Sequence, residues 1–105
     1  MRAARVDANA PEIVAALRRV GAIVRVIRQG EGIPDLLVGY RGQTVLMEVK
    51  DGAKPPSARR LTPDEQKFFD EWTGGPCVIV NSTEEALQVL ESLVVAPLSP
   101  AGGGL

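Results

Sequence analysis

Two segments with the alternation of β-strands, residues 33–40 and 43–50, are separated only by Arg41 and Gly42. A connection this short leaves no room for a crossover, so the two strands must lie side by side and antiparallel in a hairpin. Successive side chains along each strand point to opposite faces of the sheet. The hairpin therefore decides which side chains of the two segments can meet.

The length of the turn sets which residues of the hairpin face each other. With a two-residue turn, Tyr40 faces Gln43, and the pairing continues to Asp35 opposite Glu48, about 5 Å apart on one face. Lys50 lies on that same face. A four-residue turn would make the two carboxylates diagonal neighbours, whereas a three-residue turn would put them on opposite faces. Three apolar side chains are expected to point the other way, into the core: Val45, Met47 and Val49.

Helix-start signals stand on both sides of the hairpin. A residue that can cap a helix is followed three positions later by glutamate at three places: Asn9 with Glu12, Thr62 with Glu65, and Ser82 with Glu85. This spacing is the capping-box pattern. The three helices that follow are predicted to end before Gly21, before Gly74-Gly75, and at Leu93.

Two further strands are predicted, over residues 22–28 and over the short apolar segment 77–80, which has the composition of a buried strand. The order of elements is then α-β-β-β-α-β-α, typical of an α/β domain in two or three layers. A chain of 105 residues has room for one core, so residues 1–96 are interpreted as a single domain. The Pro- and Gly-containing tail, 97–105, is expected to be disordered.

The chain contains no histidine and one cysteine, Cys77. These counts exclude serine or cysteine catalysis with a histidine base, nucleases of the HNH type, and zinc sites ligated by histidine. An internal disulfide is excluded as well, which fits a reducing compartment. Any catalysis must use carboxylates, lysines and a hard metal ion.

No apolar run approaches the roughly 18 residues that a membrane span needs. Residues 1–9 are polar and contain no apolar signal region. We therefore expect a cytoplasmic, unprocessed protein with no membrane partner.

The net charge of -1 conceals an asymmetry along the chain. Residues 1–60 carry 11 Lys and Arg against 6 Asp and Glu, whereas residues 61–105 carry 1 against 7. The basic half could face the phosphates of a nucleic acid. Candidates for phosphate contact in the exposed loop predicted at residues 51–61 are Lys54, Arg59 and Arg60, and weaker candidates elsewhere are Arg18, Arg19, Arg25 and Arg28. Alternatively, these lysine and arginine side chains only make the surface soluble and contact no phosphate.

Asp35 and Glu48, once opposite each other, repel unless a proton or a cation lies between them. Two carboxylates together with waters and a substrate phosphate provide the oxygen-only ligation that Mg²⁺ or Mn²⁺ prefers. Lys50 at the rim could position a water or hold the phosphate. The alternative is a solvated face on which Lys50 forms a surface ion pair worth under about 1 kcal/mol.

The string Gly32-Ile33-Pro34-Asp35, followed on the next strand by Glu48-Val49-Lys50, resembles the signature of the PD-(D/E)XK nucleases. The surrounding pattern is similar to the virus-type replication-repair nuclease (VRR-NUC) and Holliday junction resolvase branches, in which the following helix also carries a glutamine, here Gln66. The resemblance implies a restriction-endonuclease-like α/β core of αβββαβ(α) order, with a mixed central sheet flanked by helices.

The same resemblance implies a metal-dependent endonuclease that hydrolyses phosphodiester bonds in DNA. The ligands of Mg²⁺ or Mn²⁺ would be Asp35, Glu48, the backbone carbonyl of Val49, and Glu12 from the first helix. Lys50 would be the catalytic lysine, and Gln66 a supporting polar residue. Glu12 has an alternative role in the capping box, and Gln66 as a solvent-facing helix residue.

The substrate implied by the family is branched DNA such as a Holliday junction or a flap, cut in a bacterial or phage-infected host cell. A small domain with one site suits a symmetric junction best as a homodimer. Residues 90–98 could supply part of the interface. Phe68, Phe69 and Trp72 are interpreted as core or dimer contacts, with base stacking as the alternative.

Two other functions stay open at this point. One is a general or restriction-like DNA nuclease, whose base readout would have to come from loops. The other is a non-catalytic nucleic-acid-binding module on the same fold. Metal binding separates the module from the two nucleases.

Overall fold

The computed structural model of the chain describes residues 8–95. Its elements follow in the order α1 Ala10–Arg19, β1 Ile23–Val26, β2 Leu36–Tyr40, β3 Gln43–Val49, a short 3-10 helix Pro56–Arg59, α2 Pro63–Glu71, β4 Cys77–Val80 and α3 Thr83–Val95. The predicted α/β order is confirmed. The tail 97–105, and residues 1–7 and 96 of the predicted domain, lie outside the described residues.

The four strands form one mixed sheet in the order β1-β2-β3-β4. The first three strands are antiparallel neighbours, whereas β4 runs parallel to β3. A parallel neighbour requires a crossover connection, and α2 lies in the connection from β3 to β4. The chain that leaves the end of β3 therefore leads into α2 before it returns to the sheet as β4.

The turn of the β2–β3 hairpin consists of Arg41 and Gly42, with φ angles of 49° and 83°. Two successive positive φ angles are the mark of the two-residue type I′ turn. Tyr40 pairs with Gln43, and the register continues to Leu36 opposite Met47. The two-residue turn is confirmed, and the three-residue alternative, which would have separated the carboxylates, is wrong.

The core lies between one face of the sheet and the helices α1 and α3, which contact each other. It is formed by Ile13, Leu17, Val24, Leu36, Val38, Val45, Met47, Val49, Val80, Ala86 and Leu90, among others. The inward direction predicted for Val45, Met47 and Val49 is confirmed. Leu90 is 2% exposed and belongs to this core, and the dimer interface expected over residues 90–98 stays a prediction.

Strand β4 is less buried than its apolar sequence predicts. Val80 is fully buried, but Ile79 is 39% exposed, and Cys77 and Val78 are half-buried. The reason is that β4 is an edge strand, and α3 packs against it from the face on which Val80 lies. The prediction of a fully buried strand is therefore wrong.

The aromatic residues of α2 do not join the core. Phe68 and Phe69 are half-buried, and α2 contains no fully buried residue. The rings of Phe68 and Trp72 stack with 5.2 Å between their centroids, and Trp72 is 41% exposed. The interpretation of these residues as core is wrong, because α2 starts beside Lys50, on the face of the hairpin opposite the core. The alternative, a dimer contact, stays a prediction.

Asn9 does not cap α1 through its side chain, although it occupies the N-cap position. Its amide nitrogen instead donates to the carbonyl oxygens of Lys50, at 3.1 Å, and Asn81, at 3.2 Å. Its backbone is already helical, with φ −86° and ψ −5°, unlike the extended conformation of a capping residue. Asn9 therefore joins the start of α1 to the ends of β3 and β4, and the predicted capping role is wrong.

We expect Asn9→Asp to lower the free energy of unfolding by about 2 kcal/mol, because aspartate cannot donate to the two carbonyls. A capping residue would tolerate the change, since Asn and Asp cap equally well. Ser82→Asp is the matched control, because Ser82 Oγ does accept from the Glu85 N–H at the start of α3. Urea unfolding of both variants measures the difference, and equal stability of Asn9→Asp and wild type would contradict the bridging role.

Candidate active site

The end of the hairpin brings Asp35, Glu48 and Lys50 together on one face of the sheet. Asp35 directly precedes β2, and its Oδ2 accepts a hydrogen bond of 2.8 Å from the N–H of Val49. Lys50 Nζ lies 3.4 Å from Glu48 Oε2. Glu48 is only 3% exposed, so the cluster is no solvated surface ion pair.

A third carboxylate, that of Glu65, joins this cluster from the first turn of α2. Its Oε1 lies 2.8 Å from Lys50 Nζ and accepts a hydrogen bond from the N–H of Thr62. Thr62 Oγ1 in turn accepts from the Glu65 N–H, which completes the predicted capping box. The capping pattern was the only signal for Glu65 in the sequence, and it reports on the helix rather than on the hairpin.

The close approach of α2 to the hairpin depends on Gly32. Its φ is +77°, and a Cβ at this position would collide with the backbone carbonyl of Asp64. Only glycine combines this left-handed conformation with such a backbone contact. The loop before Asp35 and the first turn of α2 therefore lie directly against each other, which brings Glu65 within reach of Lys50.

Burial dominates the electrostatics of the two hairpin carboxylates. Burial and the neighbouring charge of Asp35 raise the pKa of Glu48 from its ordinary 4.5 to about 9. Burial also raises the pKa of Asp35, although the hydrogen bond from Val49 opposes this. Glu48 Oε1 is buried and has no hydrogen-bond partner. Without a cation, Glu48 is therefore protonated at neutral pH.

Lys50 and Glu65 form the charged pair of the cluster. Burial alone would lower the pKa of Lys50, but the hydrogen bond to Glu65 and the charges of Glu65 and Glu48 outweigh it and raise that pKa. Burial would likewise raise the pKa of Glu65, but hydrogen bonds from Lys50 and Thr62 lower it. Lys50 stays an ammonium ion and Glu65 a carboxylate.

A cavity of about 390 Å³ opens over this cluster. It is lined by Asp35, Glu48, Val49, Lys50, Thr62 and Glu65 together with residues of the loop that precedes Asp35, among them Arg28, Gly30 and Gly32. Acidic and basic groups of the cluster thus face a space large enough for a phosphate group and its surrounding water.

Glu12 and Gln66 are not brought to this cavity. Glu12 is exposed and lines a separate cavity of about 560 Å³ with Asn9, Arg59 and Asn81. Gln66 is exposed and donates to Asp70 Oδ1 at 2.9 Å, one helical turn away. Gln66 faces away because the direction of α2 turns Glu65 rather than Gln66 towards Lys50. The supporting residue predicted from the sequence, Gln66, is therefore the one that faces away from the cavity.

The basic residues predicted to contact phosphates lie on several elements of the fold. Lys54 and Arg60 are exposed in the loop after β3, and Arg59 donates to the carbonyl of Lys54 at 2.8 Å. On α1, Arg18 donates to the carbonyl of Val24 at 2.8 Å, and Arg19 is exposed. Arg28, a weaker candidate in the sequence, lines two cavities that both reach Asp35.

The donor set of the cluster fits a hard divalent cation. The unpartnered Oε1 of Glu48 is a buried oxygen that a cation would satisfy. The N–H of Val49 faces Asp35, and a strand residue presents its carbonyl to the same side. Within residues 8–95, no three His, Cys, Asp or Glu side chains form a group that could hold a metal alone; Mg²⁺ typically combines one or two carboxylates with waters and substrate phosphates.

Comparison of the chain with family models, with curated proteins and with solved structures finds no significant match. Within residues 8–95, no helix has the length and apolar character needed to cross a membrane.

Proposed function

We propose that this protein is a metal-dependent DNA endonuclease with a restriction-endonuclease-like core. The observation that carries the proposal is the pair of the half-buried Asp35 and the buried Glu48, with Lys50 beside it, all three lining one open cavity. The order αβββαβα and the mixed sheet are compatible with such a core. The spacing of these residues in the sequence is the one the PD-(D/E)XK signature has.

A buried glutamate on a strand is costly for a fold that does not use it. Removing a carboxylate from water costs several kcal/mol unless it is paired and hydrogen-bonded. Glu48 retains one oxygen without a partner and a pKa near 9. An apolar residue would fit this 3% exposed position without that penalty. A glutamate at this position therefore favours a role in binding a cation over a role in stability.

A bound Mg²⁺ or Mn²⁺ would supply Lewis-acid chemistry, which lowers the pKa of water and offsets negative charge on a phosphate. Asp35 and Glu48 would hold it, together with the carbonyl of Val49. Asp35 is oriented for this by the Val49 N–H, which fixes the position of its Oδ2. The hairpin register thus orients both carboxylates before any cation arrives.

Lys50 supplies the positive charge that a phosphodiester needs near its oxygens. Two carboxylates, those of Glu48 and Glu65, face its ammonium group at 3.4 and 2.8 Å. An ammonium group has three donors, which leaves one for a phosphate oxygen or a water in the cavity that Lys50 lines. Lys50 can therefore orient the attacking water or hold the scissile phosphate.

Binding of Mg²⁺ or Mn²⁺ is expected to release close to one proton per cation at pH 7.5. The pKa of Glu48 is raised to about 9 in the metal-free protein, so the carboxyl group is protonated at this pH and must ionise to act as a ligand. Calorimetric titration in two buffers of different ionisation enthalpy measures the released proton.

Asp35→Asn should weaken cation binding at least tenfold, because it removes one of the two anionic ligands. Glu91→Gln, a change of the same kind at an exposed position of α3, should bind as wild type does. Absence of any Mg²⁺ or Mn²⁺ binding by wild type would count against an enzyme and for the non-catalytic binding module.

The proposed substrate is branched DNA, such as a four-way junction or a flap, and the proposed active form is a homodimer. The branch preference follows from the family resemblance, and the dimer from the two cuts that a symmetric junction requires. Cleavage of labelled junction, flap, single-stranded and linear duplex DNA in Mg²⁺ tests the preference. Equal rates on linear duplex and on junctions would leave a general nuclease as the function.

A further inference from the structure

We infer that Glu65 is a positioning residue for Lys50, so that the first turn of α2 is part of the active site. This inference rests on the proposed function, since it assigns the orientation of the lysine that acts on the phosphate. Glu65 is not part of the residue spacing that defines the hairpin motif. The position of α2 in the fold brings it to Lys50.

The contacts of Glu65 join two structures that are separate in the sequence. One carboxylate oxygen, Oε1, receives both the ammonium group of Lys50 and the N–H of Thr62, each at 2.8 Å. The Lys50 side chain is 11% exposed and that of Glu65 18%, so water screens the pair only weakly. The helix cap and the lysine therefore share one acceptor.

The shared acceptor fixes the direction of the Lys50 side chain. A lysine has four rotatable side-chain bonds and would otherwise sample many rotamers. Glu48 alone, at 3.4 Å, leaves the ammonium group free to turn towards Asp35 or towards the cavity. The shorter contact to Glu65 holds it on the α2 side of the cavity, which would leave Asp35 and Glu48 to hold a cation.

The position of Glu65 depends on this site more than on the core. Helix α2 has no fully buried residue, so apolar packing contributes little to its placement. Its first turn is located by the close backbone contact of Asp64 with Gly32 and by the pair of Glu65 with Lys50. Both contacts are made with the hairpin or with the loop leading into it.

Glu65→Gln separates positioning from capping, because glutamine also serves in a capping box but does not carry the charge that holds an ammonium group. We expect kcat on a junction substrate to fall 10- to 100-fold, with KM and the Mg²⁺ concentration for half-maximal rate changed less than threefold. Thermal unfolding should shift little. Glu85→Gln, the same change at the equivalent position of α3, where Glu85 accepts from the Asn81 N–H, should keep wild-type kcat.

A double-mutant cycle shows whether Glu65 acts through Lys50. In a Lys50→Ala background, Glu65→Gln should reduce the residual rate by less than twofold. An undiminished kcat in the single variant, or the same fold loss in both backgrounds, would overturn the inference.

An NMR measurement keeps this test distinct from the test of the proposed function. The Lys50 ammonium group should show a restrained, slowly exchanging ¹⁵N signal in wild type and an averaged one in Glu65→Gln. If wild type does not cleave DNA at all, the proposed function fails, whereas the NMR signal still decides whether Glu65 orients the lysine. A Lys50 signal equally mobile in both proteins would overturn the positioning role even if wild type is an active nuclease.

Discussion

Replacing Glu48 with glutamine should abolish DNA cleavage and at the same time stabilise the metal-free protein. Activity should fall by roughly 10³-fold or more, because the cation loses one of its two anionic ligands and the phosphate loses the charge stabilisation that the cation provides. Stability should rise because glutamine has nearly the shape of glutamic acid and cannot ionise. Opposite signs of the two effects are the mark of a residue kept for function.

The stabilisation should depend on pH in a defined direction. The pKa of Glu48 is about 9 in the folded protein and close to 4.5 in the unfolded chain. Between these values the folded protein holds a proton that the unfolded chain has lost, so wild-type stability falls as pH rises from about 4.5 to about 9. The glutamine variant lacks this loss and should exceed wild type by several kcal/mol at pH 8.5, because each pH unit above the unfolded-state pKa costs wild type about 1.4 kcal/mol.

Urea unfolding in a chelating buffer at pH 5 and pH 8.5 measures this difference. The two proteins should be close in stability at pH 5 and diverge at pH 8.5. Glu91→Gln should follow the wild type at both pH values, since Glu91 is exposed. A Glu48→Gln protein that is less stable than wild type at pH 8.5 would show that Glu48 is a structural residue.

Gly32→Ala should cause the second large loss, at least about 10²-fold in cleavage rate, because displacement of a catalytic group by about 1 Å is enough for such a loss. The added methyl group meets the Asp64 carbonyl, and the φ of +77° is unfavourable for alanine. Since α2 is held by few buried contacts, its first turn should move and take Glu65 away from Lys50. Kinetics and urea unfolding of the same preparation give both effects.

Gly30→Ala is the matched control in the same loop. Its φ is +80°, but a Cβ there has no atom within 4 Å. It should lose about 1 kcal/mol of stability from the backbone conformation alone, with cleavage within a few-fold of wild type. Equal activity of the two variants would show that the contact between the loop and α2 does not matter for the site.

The hairpin and its register could be predicted from the sequence because they depend on local chemistry. Arg41-Gly42 favours the two-residue turn among the three turn lengths considered, and strand alternation then places Asp35 opposite Glu48. The starts of α2 and α3 follow for the same reason, since Thr62 and Ser82 satisfy backbone N–H groups only a few residues away. Short sequence patterns predict such contacts, because the two partners are only a few residues apart.

The contacts that could not be predicted are those between distant segments. The sequence predicts that Asn9 caps a helix, but its amide nitrogen donates to the carbonyl oxygens of Lys50 and Asn81. Glu65 is predicted to be a capping residue, and the capping box is present. The direction of α2 also brings Glu65 to Lys50, which the capping pattern does not predict. That direction depends on the contact between Gly32 and Asp64, and no local pattern encodes it. The same contact explains why Glu65 rather than Gln66 faces the site.

Cleavage of a labelled four-way DNA junction in Mg²⁺, by wild type and Lys50→Ala side by side, tests the proposed nuclease most directly. Wild type should produce nicked products that chelation of the cation prevents. Lys50→Ala should bind Mg²⁺ with similar affinity, because both carboxylate ligands remain, yet cleave at least roughly 10²-fold more slowly. Cleavage by Lys50→Ala at the wild-type rate, or no Mg²⁺-dependent cleavage by wild type of any junction, flap, single-stranded or duplex DNA, would contradict the assignment.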